Sequence, residues 1–123
     1  MSQATSNDNG AAPRPADDAT LGGYFEMHDR PPAFEGTDGH PYTVSMEVER
    51  TSDLRVPYSG YLVFPRWAET GVGVIGHVET ATVGQGATED EARGLLERLT
   101  LFEVQDLLEG AIAAERSEIE PDG

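Results

Sequence analysis

The residues of this chain best suited to chemistry are its three histidines and the carboxylates close to them in sequence. Imidazole nitrogens and carboxylate oxygens are ligands for ions such as Zn²⁺ and Mn²⁺, and ligands on either side of a turn can meet at one ion. The candidate metal ligands are His28, Asp38, His40, His77 and Glu79. Their spacing matches none of the usual metal-binding signatures. The alternative is a structural role, with His40 in a turn, His28 in a loop and His77 half-buried in a strand.

Other catalytic chemistries find little support in the sequence. The chain has no cysteine, which excludes disulfides, thiolate zinc sites and cysteine nucleophiles. It has no Gly-x-Ser-x-Gly motif, and the glycines of residues 71–76 lie in a strand pattern, where a phosphate-binding loop would need a strand-to-helix turn. Arg66, next to Trp67, suits either a cation–π contact or a pair with a carboxylate. We therefore predict no cofactor and favour a non-enzymatic protein.

Charge limits the partners that the chain can have. Eight cationic residues, all of them arginine, stand against 23 Asp and Glu, for a formal net charge of −15. Such a field repels nucleic-acid phosphates, and no stretch approaches the roughly 20 apolar residues of a membrane-spanning helix. We therefore expect a protein partner or a second copy, with a homodimer favoured. The first ten residues lack the cationic start and the apolar stretch of a secretory signal, so the expected location is the cytoplasm. The acid surplus also suits a high-salt environment, with an ordinary acidic cytoplasmic protein as the alternative.

The chain is long enough for one domain, predicted at residues 21–116 between two tails. Residues 1–20 are predicted to be disordered because they have no large apolar side chain after Met1, and residues 117–123 form a second disordered tail. Residues 21–42 mix aromatic side chains with glycine and proline. For them we predict an ordered, extended stretch with a short strand on either side of a turn at residues 37–39.

Two β-patterns follow this stretch. Residues 42–49 alternate apolar and polar side chains, which predicts a strand with one buried face. Residues 61–67 and 72–79 predict a hairpin whose connecting loop is residues 68–71. This register places Phe64 opposite Ile75. Both faces of the hairpin are apolar, so each of them needs a cover.

Residues 88–116 are predicted to be helical. Thr88 with Glu91, and Thr100 with Glu103, form two capping boxes, a pattern typical of helix starts. The apolar positions fall on two stripes that would point in nearly opposite directions on one straight helix. Either the helix breaks near Thr100, which the two caps favour, or one long helix offers its second stripe to another subunit. The predicted interface residues are Leu101, Val104, Leu108 and Ile112.

One short stretch resembles a known family. A β-hairpin followed by residues 86–92, Gly-Ala-Thr-Glu-Asp-Glu-Ala, is similar to the small strand–strand–helix domains of HicB-type antitoxins. The shared stretch is mostly a generic helix start, and the chain has no recognisable toxin-contacting or DNA-binding segment of that family. The resemblance therefore implies a strand–strand–helix arrangement and carries no function over.

These patterns together predict an α+β fold: an antiparallel meander of three or four strands with one or two C-terminal helices packed on one face. A sheet that is apolar on both faces, with helices on one, leaves apolar surface uncovered. We therefore interpret the chain as a small, acidic, soluble interaction or accessory module that acts through an apolar helix and sheet surface. The alternative is a small metal- or ligand-binding enzyme that uses the three histidines with neighbouring carboxylates.

Overall fold

The computed structural model describes residues 18–119 of the chain. Residues 1–17 and 120–123, which fall in the two predicted tails, lie outside the described residues. The last helix continues beyond the domain end predicted at residue 116. The elements in chain order are α1 (Leu21–His28), β1 (Phe34–Glu35), β2 (Pro41–Tyr42), β3 (Ser45–Arg50), β4 (Tyr58–Trp67), β5 (Val74–Glu79), β6 (Gly84–Gly86), α2 (Glu89–Glu97) and α3 (Leu101–Ile119).

The sheet is an antiparallel meander with β4 at its centre. β2 and β3 pair with one side of β4 in a single register, since Tyr42 faces Arg66 and Ser45 faces Val63. β5 and β6 pair with the other side, and β1 pairs with β2 at the far edge. β1 and β2 are the short strands predicted around the 37–39 turn. The predicted α+β meander is confirmed, and six strands are distinguished because the two strands that flank β4 are each interrupted.

The C-terminal helices cover one face of this sheet, as predicted. That face carries Leu62 and Phe64 from β4 and Val78 from β5, which are all buried in the core. α2 lies very close to the strands because glycines take the place of side chains beneath it. A Cβ atom on Gly86, for example, would lie 2.8 Å from the backbone nitrogen of Ala92.

The helical region breaks at Thr100, as the capping boxes indicate. Thr88 Oγ1 accepts a hydrogen bond from the Glu91 amide at 3.1 Å, and the Glu91 carboxylate accepts one from the Ala87 amide at 2.9 Å. Thr100 and Glu103 make the reciprocal pair, at 3.1 and 2.9 Å. The break lets α2 and α3 turn their apolar stripes toward the same face of the sheet. Within the described residues, none of the helices is long and apolar enough to cross a membrane.

The stripe predicted as an interface lies inside the fold instead. Val104 and Leu108 are 0% exposed and Ile112 is 3% exposed, and all three belong to the core that also contains the buried strand residues. Leu101 packs against this core and is partly buried. The prediction is wrong because the break at Thr100 redirects α3, so that a single copy of the chain buries the stripe against its own sheet.

The extended stretch predicted from residue 21 onward begins instead with the helix α1. Thr20 caps this helix by accepting a hydrogen bond from the Gly23 amide at 3.1 Å. Gly22 favours an irregular chain by its intrinsic propensity, but here it allows α1 to approach α2. A Cβ atom on Gly22 would lie 2.7 Å from the Cβ atom of Glu97. Close packing between helices therefore outweighs the local preference of the glycines.

The predicted register of the β4–β5 hairpin is also wrong. Phe64 faces Val78 and not Ile75, which is 57% exposed. Gly71 and Gly73 both have positive φ angles, of 82° and 85°, and they extend the connecting loop to residue 73. Glycine adopts this backbone region without steric cost, so the loop is longer than the four residues of the predicted turn.

Candidate interaction face

The candidate metal ligands do not assemble into one site. Among the described residues, no three histidine, aspartate or glutamate side chains are placed to hold one ion. His28 Nε2 lies 3.3 Å from Asp18 Oδ2 at the end of α1. His40 Nδ1 lies 3.2 Å from a backbone carbonyl oxygen at the end of β4. His77 Nε2 lies 3.6 Å from Glu79 Oε2 on β5. Each imidazole therefore has its own local partner.

Asp38, the remaining candidate, belongs to a group of four hydrogen-bonded side chains that we call the Arg66 cluster: Asp38, Tyr42, Arg66 and Glu115. Tyr42 donates its hydroxyl hydrogen to Asp38 at 2.6 Å, and Arg66 Nε donates to the Tyr42 hydroxyl oxygen at 2.6 Å. Arg66 Nη2 donates to Glu115 at 2.5 Å. Both contacts considered for Arg66 are present, since it pairs with two carboxylates and its guanidinium lies 5.5 Å from the centre of the Tyr42 ring. The cluster joins the β1–β2 turn and β4 to α3.

The electrostatics of the Arg66 cluster suit a clamp better than a catalytic group. Burial and the hydrogen bond to Asp38 raise the pKa of Tyr42 to about 12. Burial acts to raise the pKa of Asp38, but hydrogen bonds from Tyr42 and the His40 amide, with the Arg66 charge, lower it on balance. At neutral pH the phenol is therefore neutral and the carboxylate is ionised. Neither group is ready to transfer a proton.

The face of the sheet opposite the helices carries a stripe of large side chains. These are four of the five odd-numbered residues of β4, Tyr61, Val63, Pro65 and Trp67, and we call them the open face; the fifth, Ser59, is buried. All four are half-buried, whereas their even-numbered neighbours Leu62 and Phe64 are fully buried under the helices. Trp67 donates its Nε1 hydrogen to the Thr43 hydroxyl at 3.0 Å, which fixes the indole on this side of the sheet.

Carboxylates flank the open face on both sides. Glu47 of β3 lies directly opposite Tyr61, and Glu79 of β5 lies opposite Val63. Desolvation, with the charges of Glu49, Glu79 and Glu47, raises the pKa of Tyr61. The open face is therefore an aromatic and aliphatic stripe in a negative field, with its phenol neutral at physiological pH.

The apolar surface continues beyond the open face onto the tip of the β4–β5 hairpin. Val72, Val74 and Ile75 are 79%, 55% and 57% exposed, respectively. Val74 pairs with Trp67 across the hairpin, so this tip adjoins one end of the open face. Clustered exposed apolar residues of this kind mark interaction surfaces more often than isolated ones do.

A groove of about 920 Å³ between α1 and α2 is a second concave feature. Its walls include the glycines of α1, Glu26 and Asp29 from the end of that helix, and Glu97 with Arg98 from α2. The lining contains none of the histidines, and it opens widely to solvent. Ligand sites usually bury most of the ligand surface, so this open groove is a weaker candidate than the sheet face.

Sequence reasoning anticipated an uncovered sheet surface but not the residues that form it. The signal was present in the alternation of large side chains at positions 61, 63, 65 and 67. The predicted interface residues, however, all lie on α3 and none of them lies on β4. No protein-family model, curated protein or solved structure matches this chain.

Proposed function

We propose that this protein is a small non-enzymatic interaction module that binds a basic partner protein through the open face. The observation that carries the proposal is that helices cover one face of the sheet and the other presents Tyr61, Val63, Pro65 and Trp67. Tyrosine and tryptophan are enriched at protein interfaces because they bury large areas and keep a polar atom for a hydrogen bond. The location we propose is the cytoplasm.

The charge around the open face supports a basic partner over a second copy of the chain. Glu47, Glu49 and Glu79 border the stripe, and the whole chain has a formal net charge of −15. Two copies placed face to face would bring these carboxylates together, at a cost that increases as the salt concentration falls. A partner with Lys or Arg around an apolar centre would instead complement both the stripe and its border.

The single tryptophan of the chain provides a direct test, because it lies on the open face. Proteins retained from an extract of the source cells by the wild-type chain are compared with those retained by Tyr61→Ser/Val63→Ser. The partner is then purified and titrated into each chain while Trp67 fluorescence is followed. We expect saturable binding with a blue shift for the wild type, and binding weaker by about tenfold or more for the double variant.

The matched control is Phe102→Ser, which removes a side chain that is 82% exposed on the helix side of the fold. We expect this variant to bind the partner as the wild type does. Equal loss of binding in both variants would contradict the role of the open face. A dimer that forms with increasing protein concentration and is lost only in the double variant would assign the face to a second copy and overturn the basic-partner proposal.

A further inference from the structure

β5 forms an open edge of the sheet. Among the described residues, its strand pairing is with β4 alone. In an antiparallel sheet the backbone N–H and C=O of one residue point to the same side, and successive residues alternate. The direction of each backbone group along β5 therefore follows from the hydrogen bonds of β4.

Three bonds fix this pattern. The Pro65 carbonyl accepts from the Thr43 amide, so Pro65 directs its backbone groups to the β2 side. The Leu62 carbonyl accepts from the Thr80 amide, and the Gly60 carbonyl accepts from the Val83 amide, on the β5–β6 side. The odd-numbered residues of β4 thus bond to β2 and β3, and the even-numbered ones bond to β5 and β6.

His77 faces Pro65, and Glu79 faces Val63. Because Pro65 and Val63 direct their backbone groups away from β5, His77 and Glu79 direct theirs to the open edge. Gly76 and Val78 hold the strand to β4 from the other side. An added strand would therefore find a donor and an acceptor at both His77 and Glu79 without disturbing the existing sheet.

A pocket lies beside this edge, between β5 and α3. It has a volume of about 210 Å³ and is lined by Val78, two alanines of α3 (Ala111 and Ala114) and the carboxylates of Glu115 and Glu118, among others. The Arg66 cluster already uses Glu115. Glu118 is exposed and pairs with no cation in the described part of the chain. The pocket thus has an apolar wall for an aliphatic stem and a free carboxylate at its rim.

From this edge and pocket we infer that the basic partner contributes an extended segment that pairs with β5 as an additional strand. The residue of that segment opposite Val78 points to the helix side, because paired residues share a face. There a Lys or Arg places its stem against the alanines and its charge near Glu118. The residues opposite His77 and Glu79 point to the other side and extend the open face. The inference rests on the proposed function, since it names the segment that the partner supplies.

The probe is a synthetic peptide of about nine residues that alternates valine and lysine, with a counterpart that has glutamate in place of lysine. Each peptide is titrated into the full chain, and amide hydrogen exchange is followed by NMR. We expect the basic peptide to slow exchange at the His77 and Glu79 amides, and the acidic one to leave it unchanged. Slow exchange at both amides before any peptide is added would overturn the inference, because the edge would already be covered.

Two variants test the mode of binding. His77→Pro removes an edge donor that makes no bond to β4, and we expect peptide affinity to fall roughly tenfold, whereas His77→Ala keeps the donor and binds as the wild type does. Glu118→Lys is expected to reverse the preference between the basic and acidic peptides. Glu118→Lys therefore tests the inference even if His77→Pro does not fold.

The outcomes separate this inference from the proposed function. Peptide binding that is lost in Tyr61→Ser/Val63→Ser but unchanged in His77→Pro and Glu118→Lys would overturn strand addition and leave the open face as the binding site. Loss in the edge variants alone would support strand addition and contradict the open face. Equal binding of both peptides would overturn the inference, while the experiment with the native partner would still decide the proposed function.

Discussion

The central strand β4 has two faces with side chains of similar size, and the helices cover only one of the two faces. Leu62 and Phe64 are 0% exposed beneath α2 and α3, whereas Tyr61, Val63 and Pro65, one position away, are only half-buried. Full burial of a large apolar side chain contributes about 1.5–3 kcal/mol to stability. Most of the hydrophobic free energy of this strand therefore comes from its helix-covered face.

The polar groups of the two faces differ in the same way. On the helix-covered face, Arg66 bonds to Tyr42 and Glu115, and both of its carboxylate neighbours are largely shielded from solvent. On the open side, Glu79 pairs within the described residues only with His77, at 3.6 Å, and both side chains are more than half exposed. The charges of the Arg66 cluster are therefore paired with one another within the chain. The carboxylate of Glu79 on the open side is more exposed and is available to a partner.

The largest effect should come from Phe64→Ala on the helix-covered face. Removing a fully buried aromatic ring leaves a cavity, and we expect the free energy of unfolding to fall by about 3–5 kcal/mol. Urea denaturation followed by circular dichroism measures this change. If Phe64→Ala is too unstable to purify, Phe64→Leu should still lose about 1–2 kcal/mol. A loss below about 0.5 kcal/mol for both variants would show that this face is not the main core.

An intermediate effect should appear at alkaline pH through the Arg66 cluster. The pKa of Tyr42 is about 12 in the folded chain and about 10 when unfolded. A raised pKa favours the protonated phenol in the folded state, so this contribution is complete below pH 10 and disappears as the pH rises to 12. The stability lost over that interval is about 2–3 kcal/mol.

Tyr42→Phe provides the comparison, because it keeps the ring and removes the titrating hydroxyl. The free energy of unfolding of both chains is measured between pH 9 and pH 12. We expect the wild type to lose more stability than the variant over this range, by about 2–3 kcal/mol. Parallel curves would contradict the raised pKa of Tyr42, and with it the effect of burial and of the hydrogen bond to Asp38.

The features that sequence predicted well are local ones. The break at Thr100 follows from a threonine and a glutamate three residues apart, and the side chains form those bonds with their own neighbours in the structure. The alternation at residues 42–49 is likewise a local pattern, and it predicts β3 (Ser45–Arg50) and the end of β2 but not the interruption at residues 43–44. In such cases the residues that decide the structure are the same residues that display the signal.

The features that sequence missed depend on contacts between distant parts of the chain. A side chain at position 22 of α1 would collide with Glu97 of α2, which explains the glycine there. Arg66 of β4 hydrogen-bonds to Glu115, which lies 49 positions away on α3. The direction of the α3 stripe depends on the angle between α2 and α3 at the helix break. A helical pattern in the sequence does not contain this angle, so it does not show that the stripe faces the chain's own sheet. The residues of the open face are not predictable for the same reason: an apolar alternation shows that two faces exist, but not which one the helices cover.

The smallest effect should come from one substitution made on both faces. Val63→Thr on the open face exchanges a methyl group for a hydroxyl at a half-buried position beside Glu79, where water can reach the new group. We expect it to change the free energy of unfolding by less than about 0.5 kcal/mol.

Val78→Thr makes the same exchange at a position that is 5% exposed under α3. There the hydroxyl loses its water, and the expected cost is about 1–3 kcal/mol. Urea denaturation gives the free energy of unfolding of both variants. Because both exchange valine for threonine, any difference between them comes from the face on which the residue lies. Equal costs would mean that the open face is as closed to water as the helix-covered one, and the argument for a partner there would fail.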